Sequence, residues 1–544
     1  MSSPGRGGLT TQRRLGAGAV LTQGSLAAYR EVAELEGEPH LIRWDLIGDS
    51  THGTVDPARP IAAIAHITDL HATDVEAPAR FEYINREYAD PRVREFLPMQ
   101  RAQEALNAHA IDAMIRTVNE VGSAPWTAIP LELVVMTGDA VDNTQQNELS
   151  VAMALLDGGV VQPKSGAPEY EGVQAPSWPD DFFWKPDGAA EGQDFYTAAL
   201  GHPQIPGLLE RALQPFEAAG IALPWLGCHG NHEELCQGVG IVTPGLAAAM
   251  VRTHKPLRLP DGIDIDAALE TFIRQPEVFM TGPHVDVTAD PARRPFDIQD
   301  FVDAHLESEA MPRGHGFTEQ NLDDGTAYYV HDSPSVRFIT LDTACPAGGA
   351  EGCITATQLH WLERRLEEVH SKFRSRDGTS VTTPHQDRLV VILSHHGFDS
   401  LTNPRAHPET RGSRHADRSD LLETLLRFDN VVLWLNGHIH ANRVRPRADP
   451  SGKGGGFWEV TTGSIVDWPC QGRLVELADP GDGMLAIACT MVDHVGSELA
   501  TLHRELAGNA PAAGFDSGKA GTPQDRNVIL LARAPFSLGR GRSD

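Results

Sequence analysis

The sequence has few cysteines, few basic residues and no long apolar run, and each shortage excludes a class of protein. Six cysteines in 544 residues are too few for a disulfide-stabilised scaffold. The 45 lysines and arginines are outnumbered by 74 aspartates and glutamates, and the resulting net charge of −29 disfavours non-specific nucleic-acid binding. No stretch approaches the roughly 18 consecutive apolar residues of a membrane-spanning helix. With 41% hydrophobic and 22% charged residues, the composition is that of an ordinary globular protein.

Two local features leave alternatives open. Cys345 and Cys353 are separated by a Gly-rich loop, and they either form a local disulfide or remain free thiols. Arg13 and Arg14 precede a short apolar segment, residues 15–21, which has some similarity to a twin-arginine export signal. Because that segment is short and is followed by polar residues, we favour a cytoplasmic location, with export as the alternative.

Five short apolar runs each end at a polar residue of a type that binds metal. The runs cover residues 61–68, 131–138, 223–230, 389–394 and 431–437. Short runs rich in Val, Ile and Leu are typical of strands that are buried on both faces. Ligands of open α/β sheets bind beyond the carboxyl ends of the strands, so the five runs predict one shared site.

Helical patterns separate the predicted strands, as expected for an α/β protein. Residues 101–121, 356–370 and 420–428 place apolar side chains at spacings of three and four. Thr355 with Gln358 predicts a capping box, and Ser419 predicts an N-cap. Further helices are predicted at 267–274 and 298–306, and a last strand at 527–531.

Five motifs stand at or near the ends of the apolar runs, and their order along the chain is more informative than any one of them. They are Asp-Leu-His at 69–71, Gly-Asp-Ala-Val-Asp-Asn at 138–143, Gly-Asn-His-Glu at 230–233, Ser-His-His at 394–396 and Gly-His-Ile-His at 437–440. This ordered set resembles the calcineurin-like metallophosphoesterase superfamily, and the Gln-Leu-His-Trp-Leu segment at 358–362 adds to the resemblance. The long inserts between motifs are similar to those of an actinobacterial subgroup.

The resemblance implies a four-layer αββα sandwich of the α/β class with long insertions. The expected metallophosphoesterase domain covers residues 61–500, with insertions at about 144–222 and 236–328. Residues 1–60 are then an N-terminal extension, and residues 501–544 are a C-terminal tail.

The resemblance also implies a binuclear metal centre. The first metal would be held by Asp69, His71, Asp139 and His440, and the second by Asp139, Asn231, His395 and His438. Two divalent cations about 3.5–4 Å apart activate water and compensate charge on a phosphoryl group, and they need a bridging carboxylate, here Asp139. The mixed oxygen and nitrogen ligands favour Mn, Fe or Zn over Ca. In the family pattern, His232 faces the substrate and stabilises or protonates the leaving oxygen.

Several neighbouring residues have less certain roles. His395 and His396 are adjacent on a strand end and point in opposite directions, so one is expected to bind metal, and we choose His395 because it directly follows the strand. Asp142 stands where purple phosphatases have a tyrosine, so an iron-tyrosinate centre is not expected. Asp142 is expected either to cap a turn or to contact a metal ligand. Asn143 stands where protein phosphatases usually have arginine. This difference weakens the interpretation of the chain as a Ser/Thr protein phosphatase.

Four further side chains near the motifs are not assigned as ligands. His66 and His229 are expected to pack or to contact ligands. Trp458 and Trp468 either line the pocket or belong to the core.

Our first hypothesis is a hydrolase in which a metal-bound hydroxide attacks the phosphorus of a small phosphomonoester or phosphodiester. The motifs do not separate these two substrate classes. The alternative is a catalytically inactive binding module with the same fold, which the loss of ligands would mark, although all seven ligand positions and His232 are present. A single-zinc hydrolase would have fewer ligands and no Gly-Asn-His motif. Neither nucleic acid nor a membrane is expected as a partner.

Overall fold

The protein is described by a computed structural model over residues 8–48, 54–94, 97–407, 416–452 and 454–538. The strands within these residues are β1 Arg13–Gln23, β2 Ala28–Glu36, β3 Leu41–Arg43, β4 Arg59–Ile67, β5 Leu133–Met136, β6 Gly159–Val161, β7 Phe216–Ala218, β8 Trp225–Gly227, β9 His254–Pro256, β10 His284–Asp286, β11 Tyr329–Asp332, β12 Val336–Thr340, β13 Lys372–Arg374, β14 Ser380–Thr382, β15 Leu389–Leu393, β16 Val431–Asn436, β17 Arg443–Arg447, β18 Phe457–Thr461, β19 Gln471–Gly481, β20 Met484–Asp493 and β21 Val528–Arg533.

The α-helices of the same residues lie between these strands. They are α1 Asn107–Val121, α2 Gln146–Asp157, α3 Phe195–Leu200, α4 Leu208–Ala212, α5 Asn231–Glu234, α6 Pro244–Met250, α7 Ala268–Arg274, α8 Ile298–Glu307, α9 Glu319–Asp324, α10 Ala356–Glu367, α11 Arg418–Leu426 and α12 Glu498–Gly508. None of the described helices is both long and apolar enough to cross a bilayer.

Two mixed sheets form the centre of the protein. The first has seven strands in the order β3-β21-β20-β19-β4-β5-β8, and the second has six in the order β11-β12-β15-β16-β18-β17. Within the first, β4, β5 and β8 are parallel neighbours. Within the second, β15, β16 and β18 are parallel neighbours. Because β12 is also parallel to β15, the first sheet presents three adjacent carboxyl ends at one edge and the second presents four. This edge is where the sequence predicts the site.

The alternation of side chains along β15 shows how the layers pack. Leu389, Val391 and Leu393 belong to the main core cluster, which also contains side chains from the first sheet. Val390 and Ile392 belong to a second cluster that contains the apolar side chains of α10 and α11. Since successive strand residues face opposite sides, the second sheet lies between the first sheet and a helical layer.

Helix α1 packs near the first sheet, where Met114 faces the backbone of Gly472 in β19. A helical layer therefore adjoins each sheet, and the predicted four-layer α/β sandwich is confirmed.

The five apolar runs form β4, β5, β8, β15 and β16, as predicted. The helices predicted at 101–121, 267–274, 298–306, 356–370 and 420–428 are present as α1, α7, α8, α10 and α11, and the last strand is β21. Two predicted caps differ from the structure. Asp417, and not Ser419, caps α11. Thr355 does accept the Gln358 N–H, but the Gln358 amide bonds the backbone of Asp342 instead of completing a capping box.

The segments outside the motifs carry their own structure. Residues 13–36 form the β1–β2 hairpin, so Arg13 and Arg14 lie in a strand. The segment 144–222 contains α2, α3 and α4 with the β6–β7 pair, and 236–328 contains α6 to α9 with the β9–β10 pair. Cys345 and Cys353 are free, buried thiols, which decides between the two alternatives for them.

Candidate metal centre

The motif loops meet where the two sheets present their carboxyl ends. Asp69 and His71 follow β4, Asp139 follows β5, and Asn231 begins α5 after β8. From the second sheet, His395 follows β15, and His438 with His440 follows β16. The structure brings predicted site residues together in four clusters that could hold a metal ion: Asp69 with His71 and His440, Asp69 with Asp139 and His395, His395 with His396 and His438, and His71 with Asp142 and His232.

The backbone of the motif loops is in an unusual conformation. Five of the predicted site residues have positive φ angles, namely Asp69 at 52°, His71 at 50°, Asp139 at 53°, His438 at 70° and His440 at 51°. Left-handed backbone is uncommon for residues other than glycine and costs about 1–3 kcal/mol at each position. Such conformations concentrate at functional sites, where the surrounding structure enforces them.

Two motif glycines permit the close approach of these loops. A Cβ atom on Gly437 would lie 2.4 Å from the Asp69 carboxylate, and a Cβ atom on Gly230 would lie 2.2 Å from the Asp139 carboxylate. Real Cβ atoms essentially never come this near to another atom. A glycine therefore precedes Asn231 and His438 because the neighbouring carboxylates occupy the space of a side chain.

Two histidines of the first cluster are oriented by carboxylates. His71 places Nδ1 3.1 Å from Asp142 Oδ1, and His440 places Nδ1 2.8 Å from Asp467 Oδ2. Because Nδ1 carries the proton shared with the carboxylate, Nε2 of each neutral ring has a free lone pair. This arrangement of carboxylate, imidazole and an open nitrogen is typical of metal-binding histidines.

The Nε2 atoms of these two rings lie close to each other and to the Asp69 carboxylate. His71 Nε2 lies 3.2 Å from His440 Nε2, and His440 Nε2 lies 3.2 Å from Asp69 Oδ1. Atoms that bind one cation with bonds of about 2.0–2.2 Å are separated by about 3.0–3.5 Å. The spacing of the first cluster therefore fits a cation.

The second set of predicted ligands contains buried atoms that lack a hydrogen-bond partner. His395 Nδ1 lies 2.8 Å from the Thr137 carbonyl, and its Nε2 lies 3.0 Å from Asp139 Oδ2 without forming a hydrogen bond. Asn231 donates its amide N–H to the Gly238 carbonyl, and its buried Oδ1 has no hydrogen-bond partner. Unsatisfied buried polar atoms are costly, and coordination to a cation is one way to satisfy them.

His396 differs from His395 in the use of its ring nitrogens. Its Nδ1 lies 3.0 Å from the Thr343 hydroxyl and its Nε2 lies 2.9 Å from the Ala350 carbonyl. Both nitrogens of His396 thus have partners within the protein, whereas His395 keeps Nε2 for the centre. The choice of His395 over His396 as the ligand stays a prediction.

His232 lies at the edge of the centre, facing the cleft. Its Nδ1 is 2.6 Å from the Asp142 carbonyl, and its Nε2 is 4.0 Å from Asp139 Oδ2. The His232 backbone N–H also donates to Asp139 Oδ1 at 3.0 Å. With 18% of its side chain exposed, His232 presents its ring to the cleft.

The pKa shifts follow from burial and from the neighbouring charges. Burial, with the adjacent His232, lowers the pKa of His71 to about 4. Burial beside His396 and His395 lowers the pKa of His438 well below its usual value. Burial opposes ionisation of Asp139, but His395 and His232 more than offset it and hold its pKa well below the usual range. His71 and His438 are therefore neutral and Asp139 is ionised at pH 7. Burial alone would lower the pKa of His395 and of His440, but Asp139 raises that of His395 to about 9, and Asp69 with Asp467 raises that of His440. A metal ion would therefore displace a proton from these two rings.

Three cations balance the carboxylates that orient the histidines. Arg80 lies 3.1 Å from Asp142, while Arg101 and Lys519 lie 2.8 and 2.9 Å from Asp467. Although burial alone would raise it, the pKa of Asp467 is held well below its usual range by Arg101 and Lys519.

A cleft of about 270 Å³ opens onto the centre. Its walls include the candidate ligands and side chains that the sequence did not single out. They are His71, Asp139, Asn231, His438 and His440 with His232, Asp142, Asp467, Leu97, Pro98, Arg101, Gln237, Val239, Ala350, Glu351, Ile439 and Lys519.

Among the residues that sequence reasoning missed, only Asp467 carried a signal. It follows β18, as the candidate ligands follow their own strands, and this pattern could have identified it. Arg101 and Lys519 are isolated basic residues in loops and had no recognisable motif.

The other side chains near the motifs have structural partners. His66 contacts the hydroxyls of Thr137 and Thr462, each at 2.8 Å. His229 is buried between Asp342 and Glu234 at 3.5 and 3.8 Å.

The two tryptophans near the last motif belong to the core and do not line the cleft. Trp458 and Trp468 are buried at 0% and 4% exposure.

Glu233 fixes the loop that carries Asp139. Its buried carboxylate accepts the backbone N–H of Gly230, Asp139 and Ala140 at distances of 2.6–2.9 Å. These bonds hold the left-handed turn at Asp139 and the start of the Gly-Asn-His motif in one arrangement.

We therefore expect Glu233→Gln to weaken metal binding by about 10–100-fold, because outer-shell partners of a metal site have effects of this size. The amide would also place an N–H group against backbone donors, which lowers the free energy of unfolding by about 1–3 kcal/mol. Metal titration and urea unfolding would measure the two effects. The adjacent Glu234→Gln is the matched control, and equal effects of both substitutions would contradict the role of Glu233.

Comparisons with known proteins find similarity in structure but none in sequence family. No protein-family model matches the chain, and no curated protein matches it. Among solved structures, the chain is similar to a dimetal phosphatase from Danio rerio, with 12% sequence identity and a TM-score of 0.35. The match covers 80% of this chain and 100% of that chain. The sequence identity and the TM-score are both low, so the assignment of the site depends on its own geometry.

Proposed function

We propose that this protein is a binuclear metal-dependent phosphoester hydrolase acting on a small phosphomonoester or phosphodiester. The observation that carries the proposal is the convergence of imidazole Nε2 atoms and carboxylate oxygens at distances that suit shared cations. His395 Nε2 faces Asp139 Oδ2 at 3.0 Å, and His71 and His440 face each other at 3.2 Å. Such an arrangement is stable when cations lie between the facing atoms.

The chain offers two overlapping sets of ligands. One set is Asp69, His71, Asp139 and His440, and the other is Asp139, Asn231, His395 and His438. The mixed nitrogen and oxygen donors favour Mn, Fe or Zn. When bound, a pair of such cations lowers the pKa of a water molecule and neutralises charge on phosphoryl oxygens.

The protein residues position the reacting groups. Asp142 and Asp467 hold the His71 and His440 rings, so the ligand nitrogens stay in place without reorganisation. Asn231 contributes a neutral amide oxygen, which leaves net positive charge in the centre to attract a phosphate group. Arg80 and Arg101 compensate the orienting carboxylates and keep them ionised.

His232 is the proposed catalytic residue. Its Nδ1–H donates to the Asp142 carbonyl, which aims Nε2 into the cleft. In the protonated ring, Nε2–H can donate a proton to the leaving alkoxide or phenoxide oxygen as the bond to phosphorus breaks. The size of the cleft, about 270 Å³, suits a small phosphoester and not a long polymer.

The test is to purify the full chain, determine its metal content and assay it with Mn²⁺ on para-nitrophenyl phosphate and on bis-para-nitrophenyl phosphate. We expect about two metal ions per chain and hydrolysis of at least one of the two esters. Two bound metals without hydrolysis of either ester would favour the inactive binding module. Absence of stoichiometric metal would contradict both.

The thermal midpoint of the chelator-treated protein, measured with and without Mn²⁺, provides an independent test. A cation that binds only the folded state stabilises it by about 2.7 kcal/mol when its free concentration is about 100 times the dissociation constant. We therefore expect Mn²⁺ to raise the thermal midpoint of the chelator-treated protein by several degrees. Ca²⁺ at the same concentration, which prefers oxygen ligands, should raise it less. Identical midpoints with and without Mn²⁺ would contradict the metal centre.

A further inference from the structure

Two basic side chains meet at one carboxylate on the wall of the cleft. Arg101 Nε donates to Asp467 Oδ1 at 2.8 Å, and Lys519 Nζ donates to Asp467 Oδ2 at 2.9 Å. Asp467 is already the partner of His440 Nδ1 at 2.8 Å, and all four side chains line the cleft. Two cations therefore share one carboxylate on the wall beside the centre.

Both cations retain hydrogen-bond donors. Arg101 uses Nε for Asp467, while its Nη1 and Nη2 atoms donate no hydrogen bond to the described residues. Nη1 lies 3.9 Å from Asp142, but that carboxylate is closer to Arg80, at 3.1 Å. Lys519 has three N–H groups and gives one to Asp467. Several charged donors are therefore available to a molecule in the cleft.

The loops that carry these cations are fixed by the backbone. The Arg101 N–H donates to the Glu104 carboxylate at 3.0 Å. The Lys519 carbonyl accepts the Asn442 N–H at 2.9 Å, which joins the C-terminal loop to the segment just after His440. Because the cations are held before a ligand arrives, they lose little freedom when they bind one.

The charge on the cleft wall is unevenly distributed. Leu97, Pro98, Val239 and Ile439 contribute apolar surface. Glu351, a carboxylate of the opposite sign, follows Ala350, whose carbonyl contacts His396 beside the second cluster. Positive charge is thus concentrated at the His440 end, where Arg101 and Lys519 lie.

We propose, building on the hydrolase function above, that Arg101 and Lys519 select phosphoesters whose leaving group carries a second anionic group. A carboxylate and a second phosphoryl group share the required chemistry, since both accept charged hydrogen bonds from a guanidinium and an ammonium. The anionic group binds at the His440 end while the scissile phosphate occupies the centre. Lys519 and Arg101 are specificity-determining residues in this arrangement.

The test compares phenyl phosphate with 3-carboxyphenyl phosphate and 1,3-phenylene bisphosphate, using the Mn-loaded full chain. We expect the two charged substrates to have a higher kcat/KM than phenyl phosphate. In Lys519→Gln, the selectivity ratio should fall about 10-fold, and Lys519→Arg should restore it. Lys372→Gln, which removes the same charge from an exposed strand, should keep the ratio of the unsubstituted protein. The two charged substrates show whether a carboxylate or a phosphoryl group is preferred.

A binding measurement separates this inference from the proposed function. Calorimetry with phenylphosphonate and 3-carboxyphenylphosphonate, which are not hydrolysed, reports selectivity without turnover. Lys519-dependent preference for the carboxylated phosphonate in a protein that hydrolyses nothing would support the anion site and refute the hydrolase. Hydrolysis with a selectivity ratio that Lys519→Gln leaves unchanged would overturn the anion site and leave the hydrolase intact.

Discussion

Asp139→Asn should abolish turnover and reduce the metal content from two ions per chain to one or none. The Asp139 Oδ2 atom lies 3.0 Å from His395 Nε2 and 3.9 Å from His71 Nε2, between the two sets of ligands. Asparagine keeps the Oδ1 that accepts the His232 N–H, but it removes the charge that compensates two cations. Since metal ions contribute several kcal/mol of transition-state stabilisation, we expect kcat/KM to fall by a factor of about 1,000 or more.

Metal analysis and kinetics on the same preparation check this result. Asp399→Asn is a suitable control because it neutralises a carboxylate that is 59% exposed. Circular dichroism and the thermal midpoint of the metal-free proteins show whether the substitution affects folding. A variant that retained two metals and full activity would refute a bridging role for Asp139.

His232→Ala should retain both metals but lose rate, and the loss should depend on the leaving group. His232 Nε2 faces the cleft and lies 4.0 Å from Asp139, outside the ligand sets that we propose. General acid catalysis contributes about 100–10,000-fold, and it matters most when the leaving oxygen is strongly basic. We therefore expect a small loss with para-nitrophenyl phosphate and a large loss with phenyl or alkyl phosphates.

A series of aryl phosphates with leaving groups of increasing pKa would measure this dependence. His360→Ala, which removes an exposed histidine from α10, is the matched control. Equal losses for all leaving groups would rule out proton donation by His232. A loss of metal would instead indicate that His232 is a ligand.

Local patterns predicted the framework of the site well. The runs that became β4, β5, β8, β15 and β16 are buried on both faces, so their apolar composition marks them in the sequence. Parallel neighbours in a sheet place their carboxyl ends together, and this rule brought distant motif residues to one edge. The domain boundaries and the individual ligand roles stay predictions.

Contacts between distant residues were harder to predict. Arg101 and Lys519 meet at Asp467 across separations of 366 and 52 residues, and neither belongs to a recognisable pattern. The cap of α11 shows the same limit at short range. Asp417 and Ser419 are both good capping residues, and the position at which the chain enters the helix decides between them.

The pairing of β4 with β19 has a consequence for how the chain acquires its shape during synthesis. Residues near position 60 can pair only after residues near position 475 have been synthesised. Strand β21, which completes the same sheet, is synthesised later still. Pairing between such distant segments slows folding, and unpaired strand edges promote aggregation while they wait. Asp69 and Asp139 therefore leave the ribosome several hundred residues before His440 and Asp467. A nascent chain therefore contains Asp69 and Asp139 long before it contains all the side chains of the candidate metal centre.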